Sequence, residues 1–272
     1  MEKTVIFPRM RAGNRAFDEL RPMKVTYDIF AYAAGSVLFE LGRTRVLCAV
    51  TLQNGVPHFL RGKHRGWLTA EYSLLPVSTP VRTVREVTSN KRNGRTIEIS
   101  RLIGRALRSV TNLQVLGEQT IFIDCDVLQA DGGTRTACIT GAFLALRAAE
   151  AVWRARGLIS YNFIKDDLVA ISVGVNGQGA YLDMDFAEDS SVDADFNFVL
   201  TRSGRLVEVQ GASEREPVTW EDFEVARSYA LRGAQEMFEF FDMNRYEVPE
   251  LVLQHGHSSV APYYSSSQQN EY

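Results

Sequence analysis

Apolar and more polar positions alternate along residues 119–130, where Ile121, Ile123, Cys125 and Val127 fall on one side of an extended chain. The alternation stops at Asp131-Gly132-Gly133. Thr134-Arg135-Thr136 then leads into residues 137–152, an apolar run with no charge before Arg147. A strand, a glycine turn and a buried helix of about four turns are predicted. Two-residue periodicity also marks 36–41 and 45–52 about Gly42-Arg43-Thr44, a hairpin, and 67–75, a further strand. Residues 27–32 are predicted as the first strand. Two later hairpins pair 169–175 with 180–186 about Asn176-Gly177-Gln178-Gly179, and 196–201 with 205–210 about Arg202-Ser203-Gly204.

The period becomes helical over 96–113. Ile99, Ile103, Ala106, Val110 and Leu113 share one face, and Glu98, Arg101, Arg105 and Arg108 the other. Thr219 caps a last predicted helix, 220–241, with Glu221 and Asp222 in its first turn. Strands followed by a helix thus occur in 27–113 and again in 168–243. An α/β (α+β) chain is expected, with two similar halves inside one domain, residues 1–245. Residues 1–23, with Arg9, Arg11, Arg15 and Arg21, read as an extended arm rather than a packed element, 157–167 as a linker and 246–272 as a mobile C-terminal tail.

Composition changes this picture little. The 272 residues are 45% hydrophobic and 23% charged, ordinary for a soluble globular protein. The net charge of -3 gives no overall field that attracts nucleic acid, so any such binding has to come from local clustering. Cys48, Cys125 and Cys138 lack metal-type spacing and read as buried free thiols in a reducing compartment. Residues 1–10 carry no signal-peptide core, and no segment reaches the roughly 20 apolar residues of a membrane helix. A cytoplasmic protein without a membrane partner is expected.

Three stretches carry candidate chemistry. The turn at 131–136 sets glycines, hydroxyls and Arg135 at a helix N-terminus, where free amides and the helix dipole favour an anion; it is equally the form of an ordinary strand-turn-helix connection. Over residues 81–108, Arg82, Arg85, Lys91, Arg92, Arg95, Arg101, Arg105 and Arg108 face only Glu86 and Glu98. Arg101, Arg105 and Arg108 suit either a solvated helix face paired with acids elsewhere or a polyanion. Arg95 sits at a helix start, where a cation opposes the dipole and is better explained by a nearby anion. The segment with Asp183, Asp185, Glu188, Asp189, Asp193 and Asp195 reads either as a solvated acidic loop or as a holder of Mg²⁺ through one or two direct ligands.

Phe17-Asp-Glu-Leu-Arg-Pro, Gly66-Trp-Leu-Thr-Ala-Glu-Tyr, Gly94-Arg-Thr-Ile-Glu-Ile, Asp124-Cys-Asp-Val-Leu-Gln-Ala-Asp-Gly-Gly-Thr-Arg-Thr and Glu188-Asp-Ser occur in this order. Together they resemble the ribonuclease PH family of phosphate-dependent 3′-5′ exoribonucleases, nucleotidyltransferases that trim the 3′ ends of tRNA precursors. The resemblance implies duplicated β-β-α-type halves of the ribosomal protein S5 domain 2-like fold, and a homo-hexameric ring built as a trimer of dimers. It implies inorganic phosphate as co-substrate on Arg95, Gly133, Thr134 and Arg135, and Mg²⁺ at Asp189 and Asp195 as catalytic residues. It also implies RNA guided by Arg82 and Arg85, with ribosomal RNA as a further substrate class. Family members commonly carry arginine after the Leu-Pro of residues 75–76, where this chain has Val77. The runner-up reading is a catalytically silent, exosome-like ring subunit that binds RNA. The intact set Arg95, Thr134, Arg135, Asp189 and Asp195 speaks against it.

Overall fold

The computed structural model describes residue 11, residues 14–89 and residues 93–250. The predicted tail beyond residue 250 and the first ten residues of the predicted arm lie outside the described residues. The first sheet contains β1 (Met23–Tyr27), β2 (Gly35–Leu41), β3 (Thr44–Asn54), β4 (Trp67–Leu74) and β5 (Gln119–Gln129), in the order β1-β2-β3-β5-β4. All neighbours are antiparallel except β4 and β5. The parallel pair needs a crossover, supplied by α1 (Glu86–Ser89) and α2 (Gly94–Ser109). Then follow α3 (Thr134–Ala155), β6 (Leu168–Asn176), β7 (Gly179–Leu182), α4 (Phe186–Asp189), β8 (Ala194–Thr201), β9 (Leu206–Ser213) and α5 (Trp220–Met243). The second sheet is antiparallel, in the order β7-β6-β8-β9.

α3 lies between the sheets, against β2 and β3 on one side and β6 on the other, while α5 covers the far side of β6 and β7. This layering explains two sequence patterns. α3 is buried almost all round because it has a sheet on each side. It is long and apolar enough to cross a membrane, but 89% of that window is buried inside the protein. β6 is buried at every residue from Leu168 to Val175 and so reads as continuous rather than alternating. Elsewhere alternation holds: Val46, Cys48 and Val50 of β3 and Ile121, Ile123, Cys125 and Val127 of β5 point into the core. The three cysteines are buried free thiols, as expected.

Several boundaries differ from the pattern. The first strand ends at Tyr27, where 27–32 was expected to begin it; Met23, Val25 and Tyr27 make the inward face, and the chain leaves the sheet at Asp28 with φ 59°. The helix expected over 96–113 ends at Ser109 and gives way to a separate 3-10 turn, Leu113–Leu116. The strand expected to reach 186 stops at Leu182, because Asp183 takes φ 51° and turns its carboxylate inward.

That carboxylate meets residues of the expected extended arm, and the described part of the arm is packed. Arg21 donates from Nε and Nη2 to the two Asp183 oxygens at 2.9 and 2.6 Å, and its backbone amide adds a bond of 2.8 Å. Arg15 donates to the Asp183 carbonyl at 2.8 Å and to Glu188 at 3.0 Å. Arg11 grips Glu188 with Nε and Nη2 at 2.7 and 2.5 Å and reaches the Leu182 carbonyl at 2.6 Å. All three arginines and Asp183 are buried. Removing one partner of such a network strands a charge away from water. Asp183→Ala is therefore expected to lower unfolding free energy by about 3–5 kcal/mol, read from urea denaturation; a wild-type midpoint would contradict the account.

Candidate active site

β5 ends one residue before Ala130, whose amide is bound by the Ser78 carbonyl at 2.8 Å. The next three residues are held from several directions. The Thr44 hydroxyl accepts from the Asp131 amide at 3.0 Å and donates to the Gly132 carbonyl at 2.7 Å, and Arg21 Nη1 donates to the Asp131 carbonyl at 2.5 Å. Gly132 has φ 78°, and a Cβ there would lie 2.5 Å from the Met184 carbonyl oxygen. Only glycine combines that backbone conformation with so close an approach of the 184–185 segment. Gly133 follows in the left-handed region and N-caps α3 without a side chain. Ala137 donates the first helical bond to the Gly133 carbonyl at 3.0 Å. Helix geometry leaves the amides of the preceding turn, Thr134 to Thr136, directed out of the N-terminus.

The side chains of this turn are fixed as well. The Thr134 hydroxyl lies 3.2 Å from the Tyr72 hydroxyl. Burial, chiefly, pushes the Tyr72 pKa up to about 12, so the phenol stays neutral. Arg135 donates to Gln210 at 3.4 Å and stands 3.8 Å from Glu98. Arg95 enters from the first turn of α2, whose N-cap Asn93 accepts from the Arg95 amide at 3.1 Å.

The acidic segment forms the facing wall, and its members have separate jobs. Asp183 and Glu188 are neutralised by the buried arginines, and Asp185 caps α4 in a reciprocal capping box with Glu188. Asp189 ends that helical turn. Asp195 sits in β8 opposite Gly174 and Ala212, and accepts from Asn197 Nδ2 at 3.2 Å. Burial raises the Asp189 pKa, and the charges of Asp195 and Glu214 raise it further, against Arg95 and Arg135. Among the described residues neither Asp189 nor Asp195 has an ion-pair partner within 4 Å, nor is there a preassembled group of three metal ligands. Two repelling carboxylates with room for water fit a hard, oxygen-seeking cation that keeps most of its hydration, the habit of Mg²⁺.

One cavity of about 590 Å³ is lined by Arg95, Gly133, Thr134, Arg135, Asp189 and Asp195 together, with Ser172, Asn197 and Glu214. Leu74, Pro80, Val81, Phe186 and Val192 make its apolar side. Arg82 and Arg85 do not line it; they are exposed, just past the Thr79-Pro80-Val81 lip, as is Val77. The α2 arginines divide: Arg101 is exposed, whereas Arg105 pairs with Glu208 and Arg108 lies 4.7 Å over the Trp67 ring while donating to the Leu68 carbonyl. The residues missed from sequence are Arg11, Arg15, Ser172 and Glu214, while Tyr72 closes the Gly66-Trp-Leu-Thr-Ala-Glu-Tyr motif. Arg21 lies within the Phe17-Asp-Glu-Leu-Arg-Pro motif, so its importance was visible although its partner was not.

Comparison with known proteins shows what the chain as a whole is similar to. The family described as "3′ exoribonuclease family, domain 1" matches residues 19–151. Over 231 residues it is 49% identical to Ribonuclease PH of Bacillus pumilus (strain SAFR-032) and 50% identical to that of Bacillus subtilis (strain 168), covering 85% of this chain and 96% and 94% of those proteins. The chain belongs to the ribonuclease PH family. Among solved structures, rice Rrp46 superposes with a TM-score of 0.71 at 21% identity, covering 86% of this chain and 99% of that one. A chain of the Archaeoglobus fulgidus exosome with RNA bound to the active site gives 0.73 at 22%, covering 85% and 92%. These two share the fold.

The Glu188 pairing has a pH signature. Burial raises this carboxyl most, but the Arg11 hydrogen bond, the Asp185 amide and the charges of Arg11 and Arg15 together outweigh it and leave the pKa below its ordinary 4.5. A carboxylate whose pKa is depressed by folding stabilises the native state above its unfolded pKa and loses that contribution as pH falls. Wild-type protein is expected to lose stability below pH 4.5 more steeply than Glu188→Gln, measured by thermal unfolding in a pH series. Parallel curves would show that the pairing is not formed.

Proposed function

We propose that this chain is a phosphate-dependent 3′-5′ exoribonuclease that trims the 3′ ends of tRNA precursors, releases nucleoside diphosphates and runs in reverse as a nucleotidyltransferase. Family membership supports the reaction class. The observation that carries the assignment to this site is the convergence of Arg95, the first turn of α3 and the Asp189/Asp195 pair on one cavity.

The reaction brings two anions together, so positioned positive charge is its main requirement. Arg95, Arg135, the Thr134 hydroxyl and the α3 amides bind inorganic phosphate and aim one of its oxygens at the last phosphodiester of the RNA. That oxygen forms a new bond to phosphorus as the bond to the 3′-oxygen of the preceding nucleotide breaks. The terminal nucleotide leaves as a diphosphate, and the 3′-oxygen takes up a proton. Asp189 is our candidate donor. Asp189 and Asp195 would hold Mg²⁺, which when bound neutralises charge on the scissile phosphate. The terminal base enters the apolar side formed by Leu74, Pro80, Val81 and Phe186, a surface without base-reading groups. Arg82 and Arg85, exposed beyond the lip, would contact RNA backbone, giving affinity that falls with salt and shows little sequence preference. The unit we infer is a homo-hexameric ring, a trimer of dimers in the cytoplasm, with ribosomal RNA 3′ ends as further substrates.

Incubation with a 3′-extended RNA and magnesium is expected to release nucleoside diphosphates only when phosphate is present; release of monophosphates without it would overturn the proposal. Arg135→Ala should lower turnover by roughly two to three orders of magnitude while the oligomer, followed by gel filtration, stays intact. Near wild-type turnover at saturating phosphate would rule out its role. Asp195→Asn is expected to cost a similar factor, on the order of a hundredfold or more, with RNA binding retained in a filter assay. A fully active variant in magnesium buffer would remove the carboxylate from the chemistry.

A further inference from the structure

Ser172 sits on β6 with only 6% of its surface exposed, and its hydroxyl has no hydrogen-bond partner. Buried hydroxyls are almost always satisfied; among the described residues those of Ser78, Ser100 and Ser172 are left open, and of these only Ser172 lines the cavity. Its Oγ lies 3.5 Å from where a Gly133 side chain would begin, beneath the N-terminus of α3. Across the second sheet it is in register with Asn197 of β8, which in turn pairs with Gln210 of β9. The three polar residues form a rung running under the helix end. Asn197 is occupied by Asp195 and Gln210 by Arg135. Ser172 alone is free, at the Gly133 end of the rung.

We propose that Ser172 is a direct ligand of the attacking phosphate, its hydroxyl donating to a phosphate oxygen from the sheet side while the α3 amides and Arg135 hold the helix side. This rests on the phosphate reading of the cavity and adds a positioning residue that fixes the anion's height above the sheet. Serine suits the position: a larger side chain would fill the space below Gly133, and alanine would leave the oxygen without its partner. The orphaned hydroxyl costs the empty protein stability and rewards the bound state, which makes the site selective for an acceptor.

The test uses the full-length protein. Ser172→Ala should raise KM for phosphate by about tenfold, leave KM for RNA unchanged and leave the melting temperature without phosphate equal or higher. Isothermal titration of inorganic phosphate alone, without RNA or magnesium, should show the same weakening. Ser172→Cys, similar in size but a poor hydrogen-bond former, should behave likewise, so a folding defect in one variant does not decide the matter. Wild-type phosphate affinity in either folded variant overturns the proposal. If wild-type protein neither binds phosphate nor phosphorolyses RNA, the phosphate reading of the cavity falls, and this inference with it; if it does both while the variants match it, this inference alone falls.

Discussion

The buried contacts of Arg11, Arg15 and Arg21 with Asp183 and Glu188 govern much of this molecule. They tie the N-terminal residues to the segment between β7 and β8, and Arg21 extends the tie to the Asp131 carbonyl. The Met184-Asp185 backbone is thereby pressed against Gly132, at a distance no side chain would allow. The glycine turn before α3 and the turn that carries the carboxylates are thus packed directly on one another. Charges withdrawn from water in this way are costly unless each is matched in geometry. The fork of each arginine finds two oxygens, which makes the arrangement stiff rather than merely attractive. Glu188 is gripped and Asp189 is the next residue, so the position of the catalytic candidate is set by its neighbour's ion pairs.

A second constraint is electrostatic. Arg95, Arg135 and the α3 N-terminus present positive charge on one wall, and Asp189, Asp195 and Glu214 present negative charge on the other. In most proteins two such walls would collapse into salt bridges. One side chain of each wall is engaged from behind, Arg135 by Gln210 and Glu98, and Asp195 by Asn197. The reaction proposed for the cavity would place its anion and its hydrated cation in the gap between them.

Much of this was legible along the chain. The alternation in β3 and β5, the hairpin at Gly42, the uncharged run of α3 and the Thr219 cap all correspond to observed elements. These signals are local: side-chain period reports which face is buried, and turn residues report where the backbone must reverse. The reading failed where long-range contacts took over. Asp183 looked like strand and ended one, because Arg21, far away in the chain, draws its carboxylate inward. Arg11, Arg15 and Arg21 read as part of an extended arm and are buried, because their partners lie more than 160 residues on.

The glycine turn at 131–133 shows the division. Its sequence alone determined a strand, a break and a helix N-terminus rich in donors, since glycine and threonine impose that locally. It did not determine that Arg95 from one crossover and Asp189 and Asp195 from the other sheet would face the same space, nor that Ser172 would close it from below. Those depend on α3 being buried between two sheets, which brings the strand ends of both halves to one end of a single helix. Period and turn chemistry act over a few residues, whereas a site made of opposed charges exists only where packing and buried ion pairs bring distant segments together and keep them from collapsing.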